Sequence, residues 1–377
     1  MSKSSSHHNP LKVFVNDSYS KPKINAETIK KAVAIARAIE QSADLRRVLE
    51  LNDPASSPEA LHEAIAALES FVDPAYLAAI RSGNPRGLAA SNGLGWDPDL
   101  YDMVVNSTAG ILSALRQVQG GDFVAASLSS GLHHASPASG NGFCTVNSLA
   151  VVALIAARQG LKVAILDLDA HCGGGTEAFL RKFPDLAEHI SHIDISLSPF
   201  DRYEPRRSGS CLEIAEADTY LESVRDALNT LSKMGPEIVL YNAGVDIWPR
   251  VAPEVVASRD RMVVNAIKNV SARCVIVLAG GYGADEEIIP LHVGTLTTFA
   301  GVQKREHEMQ LALERLASQF SCSHCGSKLV PVMYGYPVGE AIWEQVTRGE
   351  VVLGGCMRSP GADPLSICLN CGREQFE

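Results

Sequence analysis

The sequence predicts an α/β fold, in which helices cover both faces of a doubly wound, mostly parallel sheet, followed by a smaller C-terminal unit. Three observations favour this architecture. Short apolar runs rich in β-branched residues alternate with amphipathic segments of helical period along most of the chain. Polar residues and glycines directly follow several of these runs, as expected where parallel strands end at a common site. Two closely spaced cysteine pairs mark the C-terminal unit.

The predicted elements follow from these patterns in chain order. The polar segment 1–11 predicts a disordered tail, and 12–303 predicts one large domain. A polar helical stretch at 304–320 predicts a linker helix before the C-terminal unit at 321–377. The predicted strands are 12–15, 123–128, 163–166, 189–197, 237–242 and 274–278, and the main predicted helices are 26–41, 57–70, 101–118, 146–158, 177–182, 217–234 and 254–269.

The overall composition limits the possible functions. Apolar residues make up 46% of the chain, which is enough for a large core and unlike a disordered protein. The net charge of −10 argues against a nucleic-acid partner or an anionic membrane, because phosphate contacts need a basic surface. No apolar run reaches the ~18 residues of a membrane span, and no signal-peptide pattern opens the chain. We therefore expect a cytoplasmic protein, in which the nine cysteines favour metal sites over disulfides.

The stretch 162–179 carries the strongest chemical signal. Its apolar strand ends in Asp167, Asp169 and His171, which occupy alternate positions. Alternate side chains of an extended chain share a face, so two carboxylates and an imidazole converge where the strand stops. These groups are typical ligands of zinc, and three glycines follow them. The alternative, in which the acids only cap the next helix, suits a lone aspartate better than this triplet.

Further polar residues follow other predicted strands. His133 and His134 lie in a segment rich in glycine and serine, Asp246 follows a buried strand, and Tyr282 stands between glycines. Imidazole groups suit acid–base chemistry near neutral pH, although a lone histidine pair is more often structural. Because the carboxyl ends of parallel strands meet at one edge of a sheet, we expect these residues to form one active site.

These strand-end motifs resemble those of the histone deacetylase family, which has the arginase-deacetylase fold. LHHA, GFCTVN, DLDAH, NAGVD with a later RDR, and AGGYG occur in the family's order, and the resemblance covers residues 72–283. It implies a zinc-dependent deacetylase that removes an acyl group, in the first instance acetyl, from a primary amine such as acyl-lysine or an acetylpolyamine. Two alternatives stay open: a hydrolase of another small amide on the same fold, and a non-catalytic binder that uses the C-terminal unit for contacts.

The resemblance also implies a role for each residue at the strand ends. The implied zinc ligands are Asp169, His171 and Asp246, the implied catalytic residues are His133, His134, Tyr282 and Asp167, and the implied substrate-binding residues are Asp97, Gly142 and Phe143. In such a site zinc activates a water molecule, a histidine moves its proton, and the tyrosine hydroxyl stabilises the oxyanion. Asp167 is implied to pair with His133 and to help hold a monovalent cation such as K⁺.

One departure from the family pattern concerns the second histidine. The family has Asn or Asp where this chain has Gly174, so we expect His134 to be less firmly held or to find a partner elsewhere. We expect His133, beside Asp167, to be the more easily protonated of the two, and His134 to be the better proton acceptor. Replacing Gly174 with Asn is expected to raise the rate if the glycine does not need a positive φ.

The C-terminal unit predicts a zinc ribbon. Cys322 with Cys325 and Cys368 with Cys371 form two CxxC motifs, each followed by a glycine that suits a tight turn. The pattern favours a closed Cys₄ structural zinc over four reduced thiols or two disulfides. Cys356 is a spare thiol or a substitute ligand, in a segment that resembles a small bacterial zinc-ribbon family. The ribbon could bind a partner, cover the active site of a neighbouring subunit in a homo-oligomer, or only stabilise the terminus.

Overall fold

The computed structural model describes residues 10–23, 27–206, 209–319, 322, 324–325, 327, 329–334, 345–355, 364 and 366–375. Most of the predicted tail at 1–11 lies outside the described residues. The chain divides into two compact units, Met1–Lys304 and Arg305–Glu377. The finer domain boundaries expected from the sequence stay predictions. None of the described helices is long and apolar enough to cross a membrane.

The first unit is built on an eight-stranded sheet whose pairings are parallel. Its strands are β1 (Leu11–Phe14), β2 (Leu49–Asn52), β3 (Val124–Ser127), β4 (Val163–Asp167), β5 (Ile190–Ser196), β6 (Ser210–Ile214), β7 (Ile238–Gly244) and β8 (Arg273–Ala279). Their order in the sheet is β2-β1-β3-β8-β7-β4-β5-β6. The predicted parallel sheet is therefore confirmed, and β4, which carries the aspartates, lies inside it between β7 and β5.

Helices cover both faces of this sheet. The α-helices that the structure describes are α1 (Glu27–Gln41), α2 (Pro58–Phe71), α3 (Pro74–Ser82), α4 (Arg86–Ala89), α5 (Leu100–Gln119), α6 (Ser148–Arg158), α7 (Gly174–Lys182), α8 (Pro184–Ala187), α9 (Tyr220–Met234), α10 (Pro253–Asn269) and α11 (Asp285–Gln319), the last of which continues past the end of the first unit at Lys304. Alternate residues of β4 belong to two separate hydrophobic clusters, Ala164 and Leu166 to one and Val163 and Ile165 to the other. The apolar run in the sequence reflects this burial on both faces.

The eight-stranded sheet contains two strands that the sequence patterns do not predict. These are β2 and β6, which lie at the two edges of the sheet. Both are only partly buried, and both contain polar residues among their few apolar ones. Because one side of an edge strand faces solvent, neither carries the continuous apolar run on which the prediction of a buried parallel strand depends.

The second unit contains a four-stranded sheet in the order β10-β9-β11-β12. Its strands are β9 (Leu329–Tyr334), β10 (Val352–Gly355), β11 (Ser366–Cys368) and β12 (Glu374–Gln375). β9 pairs in parallel with β10 and antiparallel with β11, and β11 pairs antiparallel with β12. Cys356 lies outside the described residues.

Candidate active site

Most of the predicted site residues follow four strands that are neighbours in the sheet. β3, β8, β7 and β4 lie side by side in that order. Asp169 and His171 follow β4, Asp246 follows β7, and Tyr282 follows β8. The paired histidines come six and seven residues after β3 ends at Ser127. The parallel topology thus brings to one edge of the sheet residues that are far apart in the sequence.

Asp169, His171 and Asp246, here called the open cluster, each present a possible metal ligand within 4.8 Å of the others. Nδ1 of His171 lies 3.1 Å from Oδ1 of Asp169 and 3.1 Å from Oδ2 of Asp246. Burial and the charge of Asp169 raise the pKa of Asp246. Oδ2 of Asp246 is buried and accepts no hydrogen bond. One imidazole and two crowded carboxylates, one with an unsatisfied oxygen, fit a divalent cation such as zinc.

His133 is held by Asp167. Its Nδ1 lies 2.7 Å from Oδ2 of Asp167, and the other carboxylate oxygen accepts hydrogen bonds from the Asn242 side chain (2.8 Å) and the Asp169 amide (3.2 Å). Burial lowers the pKa of His133, but the charges of Asp167 and Asp169 outweigh burial, and the net effect raises the pKa to about 10. The direction matches the expectation that His133 is the more easily protonated histidine of the pair.

His134 has a partner that sequence reasoning missed. Its Nδ1 lies 2.9 Å from Oδ2 of Asp201, in the loop after β5. Burial and the charge of His133 lower the pKa of His134. A Cβ on Gly174 would lie 2.4 Å from the carbonyl oxygen of Asp201, so a side chain has no room there. Of the two expectations for His134, a partner from elsewhere is the one found, and the expected gain from Gly174→Asn is not supported.

His171 of the open cluster lines a cavity of about 420 Å³, together with His134, Gly142, Phe143, Ser198, Phe200 and Tyr282. Phe143 and Phe200 are about half exposed, at 53% and 46%, and Tyr282 is 52% exposed. Gly142 has a φ of +52°, and a Cβ there would lie 2.7 Å from the His134 ring and 2.9 Å from Phe200. The sequence predicted Gly142 and Phe143, whereas Phe200 has no sequence signal beyond following a strand.

A second, much smaller cavity, of about 70 Å³, shares Gly142, Phe143 and Tyr282 with the first and reaches Lys31. The Lys31 side chain is buried, and its ammonium group donates a hydrogen bond to the carbonyl oxygen of Gly280. Burial lowers the pKa of Lys31 to about 8, against the opposing influence of the Asp246 carboxylate. The sequence analysis placed Lys31 in the predicted helix 26–41 and did not predict that its ammonium group lies beside the second cavity.

Asp97 lies apart from the residues that line these cavities. It is half-buried before α5, where Oδ1 accepts a hydrogen bond from the Asp99 amide (2.9 Å) and Oδ2 accepts one from the Lys23 amide (3.1 Å). Both carboxylate oxygens thus already order the backbone. Its implied contact with the substrate stays a prediction.

A second group of possible metal ligands, here called the sealed cluster, consists of Asp167, His192 and Asp194. All three side chains are fully buried, and Asp167 and Asp194 are direct partners in the register of β4 and β5. Nε2 of His192 and Oδ1 of Asp194 have no hydrogen-bond partner. Burial and the charge of Asp167 raise the pKa of Asp194 well above its ordinary value. Sequence reasoning missed His192 and Asp194 because both lie inside a predicted strand, not at its end.

A buried arginine links the loops that carry the open cluster. Arg259 of α10 donates hydrogen bonds to the carbonyl oxygens of Leu168 (3.3 Å) and Gly244, which precede the metal-ligand candidates on two strands. Its guanidinium group pairs at 3.0 Å with Asp260, which also accepts a hydrogen bond from Tyr241 (2.6 Å). Arg259 therefore fixes two backbone segments at once.

In the second unit, Cys322, Cys325, Cys368 and Cys371 present their sulfur atoms within 4.8 Å of one another. Two sulfur pairs are 3.5 Å apart, too far for a disulfide bond of about 2.05 Å. Zn–S bonds of about 2.3 Å in a tetrahedron place the sulfurs about 3.8 Å apart, which these distances approach. Hydrogen bonds from Ser327 lower the pKa of the Cys325 thiol to about 5. The four cysteines fit a structural zinc.

The chain is similar to several known proteins. A protein of Picosynechococcus sp. described as uncharacterised is 28% identical over 251 residues, which are 62% of this chain and 82% of that protein. Histone deacetylase 2 of Arabidopsis thaliana is 29% identical over 196 residues, 46% of this chain and 50% of that protein. The crystal structure of an acetylpolyamine aminohydrolase from Burkholderia pseudomallei superposes with a TM-score of 0.58 at 20% identity, covering 77% of this chain and 98% of that one, and so shares the fold.

The family itself is identified by a domain match. The model of the histone deacetylase domain matches residues 26–289. This range includes His133, His134, the open cluster and Tyr282. Because the match covers more than half of the chain, the chain belongs to the histone deacetylase family.

Proposed function

We propose that this protein is a zinc-dependent amide hydrolase that removes an acyl group, in the first instance acetyl, from a primary amine such as acyl-lysine or an acetylpolyamine. One observation carries the proposal: His134, Tyr282 and His171 of the open cluster line one cavity, and four different strands supply these residues and the other ligand candidates beside His171. Zinc bound by Asp169, His171 and Asp246 would act as a Lewis acid toward the amide carbonyl and lower the pKa of a water molecule.

The two histidines would move the protons. Nε2 of His133 lies 3.4 Å from Oδ1 of Asp169 in the open cluster, Nε2 of His134 lies 3.2 Å from Nε2 of His133, and the His134 ring lies edge-on to that of His171 with centroids 5.9 Å apart. His134 would take a proton from water while the water oxygen bonds to the acyl carbon. The C–N bond then breaks, its electron pair stays on nitrogen, and the proton passes to the leaving amine.

Tyr282 would stabilise the negative charge that develops on the carbonyl oxygen. Burial and the charges of Asp169 and Asp246 raise the pKa of its phenol, so the hydroxyl keeps its proton and can donate a hydrogen bond. Phe143 and Phe200 would hold the aliphatic chain between the amide and the rest of the substrate, because their exposed rings line the cavity. An aliphatic linker of this kind is common to acyl-lysine and acylpolyamines, so the two remain joint candidates.

Two further cation sites belong to the proposal. The four cysteines of the second unit would hold a structural zinc, whose closed donor set has no position for a substrate. The sealed cluster would hold a cation beside Asp167, such as the K⁺ expected from the resemblance, because two of its buried polar atoms lack a partner. A cytoplasmic location, a bacterial source and a homo-oligomer stay predictions from the sequence.

The proposal is tested by a panel of acylated lysine peptides and acylpolyamines, offered to the zinc-loaded protein. We expect hydrolysis of at least one acetylated member, measured as release of the free amine. Asp246→Ala is the matched control, because it removes one zinc ligand and leaves the cavity walls intact. A parent protein that is inactive on the whole panel while fully zinc-loaded would favour the alternatives, another amide or a non-catalytic binding protein.

A further inference from the structure

We propose that Asp201 is the positioning residue of His134, and that it replaces the side chain missing at Gly174. The inference rests on the proposed function, because positioning matters only if His134 transfers protons. It assigns a task to a loop, residues 197–203, that no strand-end motif includes. Asp201 does not line the substrate cavity and so acts through His134.

The contact between the two side chains has the geometry of a charge-assisted hydrogen bond. Oδ2 of Asp201 lies 2.9 Å from Nδ1 of His134, and the His134 side chain is only 5% exposed. A carboxylate at Nδ1 selects the tautomer in which this nitrogen carries the proton. Nε2 of His134, which lies 3.2 Å from Nε2 of His133, is then the nitrogen without a proton and the one that can accept a proton from water. The two histidines thus have parallel arrangements, each with an aspartate at Nδ1.

The Asp201 carboxylate is itself held in place. Its Oδ2 also accepts a hydrogen bond from the backbone amide of Gly175 (3.3 Å), and Oδ1 accepts one from the side chain of Asn141 (3.4 Å). The residue has a φ of +59°, a left-handed conformation that is uncommon for side-chain-bearing residues but tolerated by aspartate. A backbone conformation of this kind persists where the surroundings determine it. These contacts hold the Asp201 carboxylate in a fixed position next to His134.

A side chain at position 174 would occupy the space that Asp201 fills. A Cβ on Gly174 would lie 2.4 Å from the carbonyl oxygen of Asp201, 2.6 Å from its Oδ1 and 2.7 Å from its Cγ. The first of these atoms is backbone, which does not move aside as a flexible side chain does. A side chain at 174 and the observed loop thus exclude each other. The family has Asn or Asp at position 174. Only because this chain has glycine there can the 197–203 loop bring the Asp201 carboxylate to His134.

The first experiment observes the tautomer of His134 without using activity. Protein labelled with ¹⁵N in its 11 histidines is compared as parent, Asp201→Ala and Asp201→Asn, and the His134 signal is assigned by its loss in His134→Ala. We expect the parent to carry the proton on Nδ1 and Asp201→Ala to shift toward the Nε2-protonated form. Asp201→Asn can still accept through its amide oxygen and should stay close to the parent. An unchanged tautomer in Asp201→Ala would overturn the inference.

The second experiment uses kinetics on a substrate that the panel identifies. We expect Asp201→Ala to lower kcat by about 10–100-fold with little change in KM and none in zinc content, as for other residues that orient a functional side chain. Asp201→Asn should recover part of this loss. Glu204→Gln is the matched control, because it removes an exposed acid from the same stretch of chain and should leave kcat unchanged.

A double-mutant cycle separates positioning from a merely structural role. In a His134→Ala background, Asp201→Ala should cause no further loss of kcat, because its target is gone. Equal losses in both backgrounds would overturn the inference and assign Asp201 to the stability of the loop. Failure of the proposed function has a different signature: the parent hydrolyses nothing on the panel, while the tautomer measurement still decides the role of Asp201.

Discussion

The open cluster and the sealed cluster consist of the same residue types, two aspartates and one histidine, yet their surroundings differ. His171 of the open cluster is 27% exposed and lines the cavity that also contains Phe143 and Tyr282, whereas the three side chains of the sealed cluster are fully buried. The two are connected, because Asp169 donates its backbone amide to Asp167 at 3.2 Å. The comparison teaches that the donor set alone does not define a catalytic site. Access for water and substrate distinguishes them, since a catalytic metal needs an open coordination position.

The strongest test of this difference removes one aspartate from each cluster. Asp246→Ala should abolish most of the acceleration, which for enzymes is at least about 10⁶-fold, and lower the zinc content from about two equivalents to one. Asp194→Asn should keep both zinc equivalents and lose no more than about 100-fold in kcat, as expected for a residue that supports the site indirectly. Zinc analysis beside kinetics decides the matter. Loss of the catalytic zinc in Asp194→Asn would show that the clusters act as one site.

The paired histidines connect the two clusters, because His133 contacts Asp167 of one and Asp169 of the other. We predict that His134→Ala lowers kcat/KM by about 10²–10⁴-fold, the range for a lost general base, and that His133→Ala is less damaging. The physical reason is that neighbouring carboxylates favour the charged form of His133, whereas burial favours the neutral form of His134. Both variants are compared at matched zinc content across pH 6 to 9. A clearly slower His133→Ala enzyme would reverse these roles.

A substitution at Tyr282 tests the role of the open cluster without removing one of its proposed metal ligands. Tyr282→Phe should lower kcat by about 10²–10³-fold, because one hydrogen-bond donor to the oxyanion is lost. Zinc content should stay at the parent value, since Tyr282 is not one of the proposed metal ligands. The measurement is kcat on the same substrate with parallel metal analysis. A variant as fast as the parent would assign carbonyl polarisation to another group.

The buried Lys31 side chain makes the stability of the protein depend on pH. Its folded pKa is lowered to about 8 by burial, so between pH 8 and its ordinary value of about 10.4 the unfolded chain binds the extra proton. The parent should therefore gain stability as pH rises through this window, by an amount of order 3 kcal/mol, and this gain should be absent from Lys31→Met. Chemical denaturation at pH 7 and pH 10 measures it. Equal pH dependence in both proteins would mean that the ammonium is solvated in the folded state.

Gly174→Asn is the smallest perturbation. The new side chain would collide with the Asp201 carbonyl, so we expect a loss of stability of about 1–3 kcal/mol from overpacking and a lower kcat. Gly87→Asn is a suitable control, because a Cβ at Gly87 has no neighbour within 4 Å. Thermal unfolding of the two variants is compared with that of the parent. A faster enzyme with unchanged stability would restore the expectation drawn from the sequence.

The sequence predicted the parts of the site that lie at strand ends. The alternation of Asp167, Asp169 and His171 and the apolar run before them were sufficient, because one local pattern placed the strand and its polar end together. Asp201 was beyond such reasoning, since its pairing with His134 depends on a loop crossing to the start of α7. His192 was hidden for another reason. A polar residue inside a strand acquires meaning only when the register with a neighbouring strand is known.

A side chain at 174 and the observed loop at 201 exclude each other, and this restricts the order in which the two positions can change during evolution. Asparagine or aspartate at the first position and the loop conformation that brings the Asp201 carboxylate to His134 exclude each other, so the order of substitutions is constrained: the glycine must come first, or both must change at once. The observed loop at 201 is acceptable only with glycine at 174, which is epistasis with a steric cause. Relatives that carry glycine at this position are therefore expected to carry an acid in the loop after β5, and relatives with asparagine or aspartate are expected to lack it.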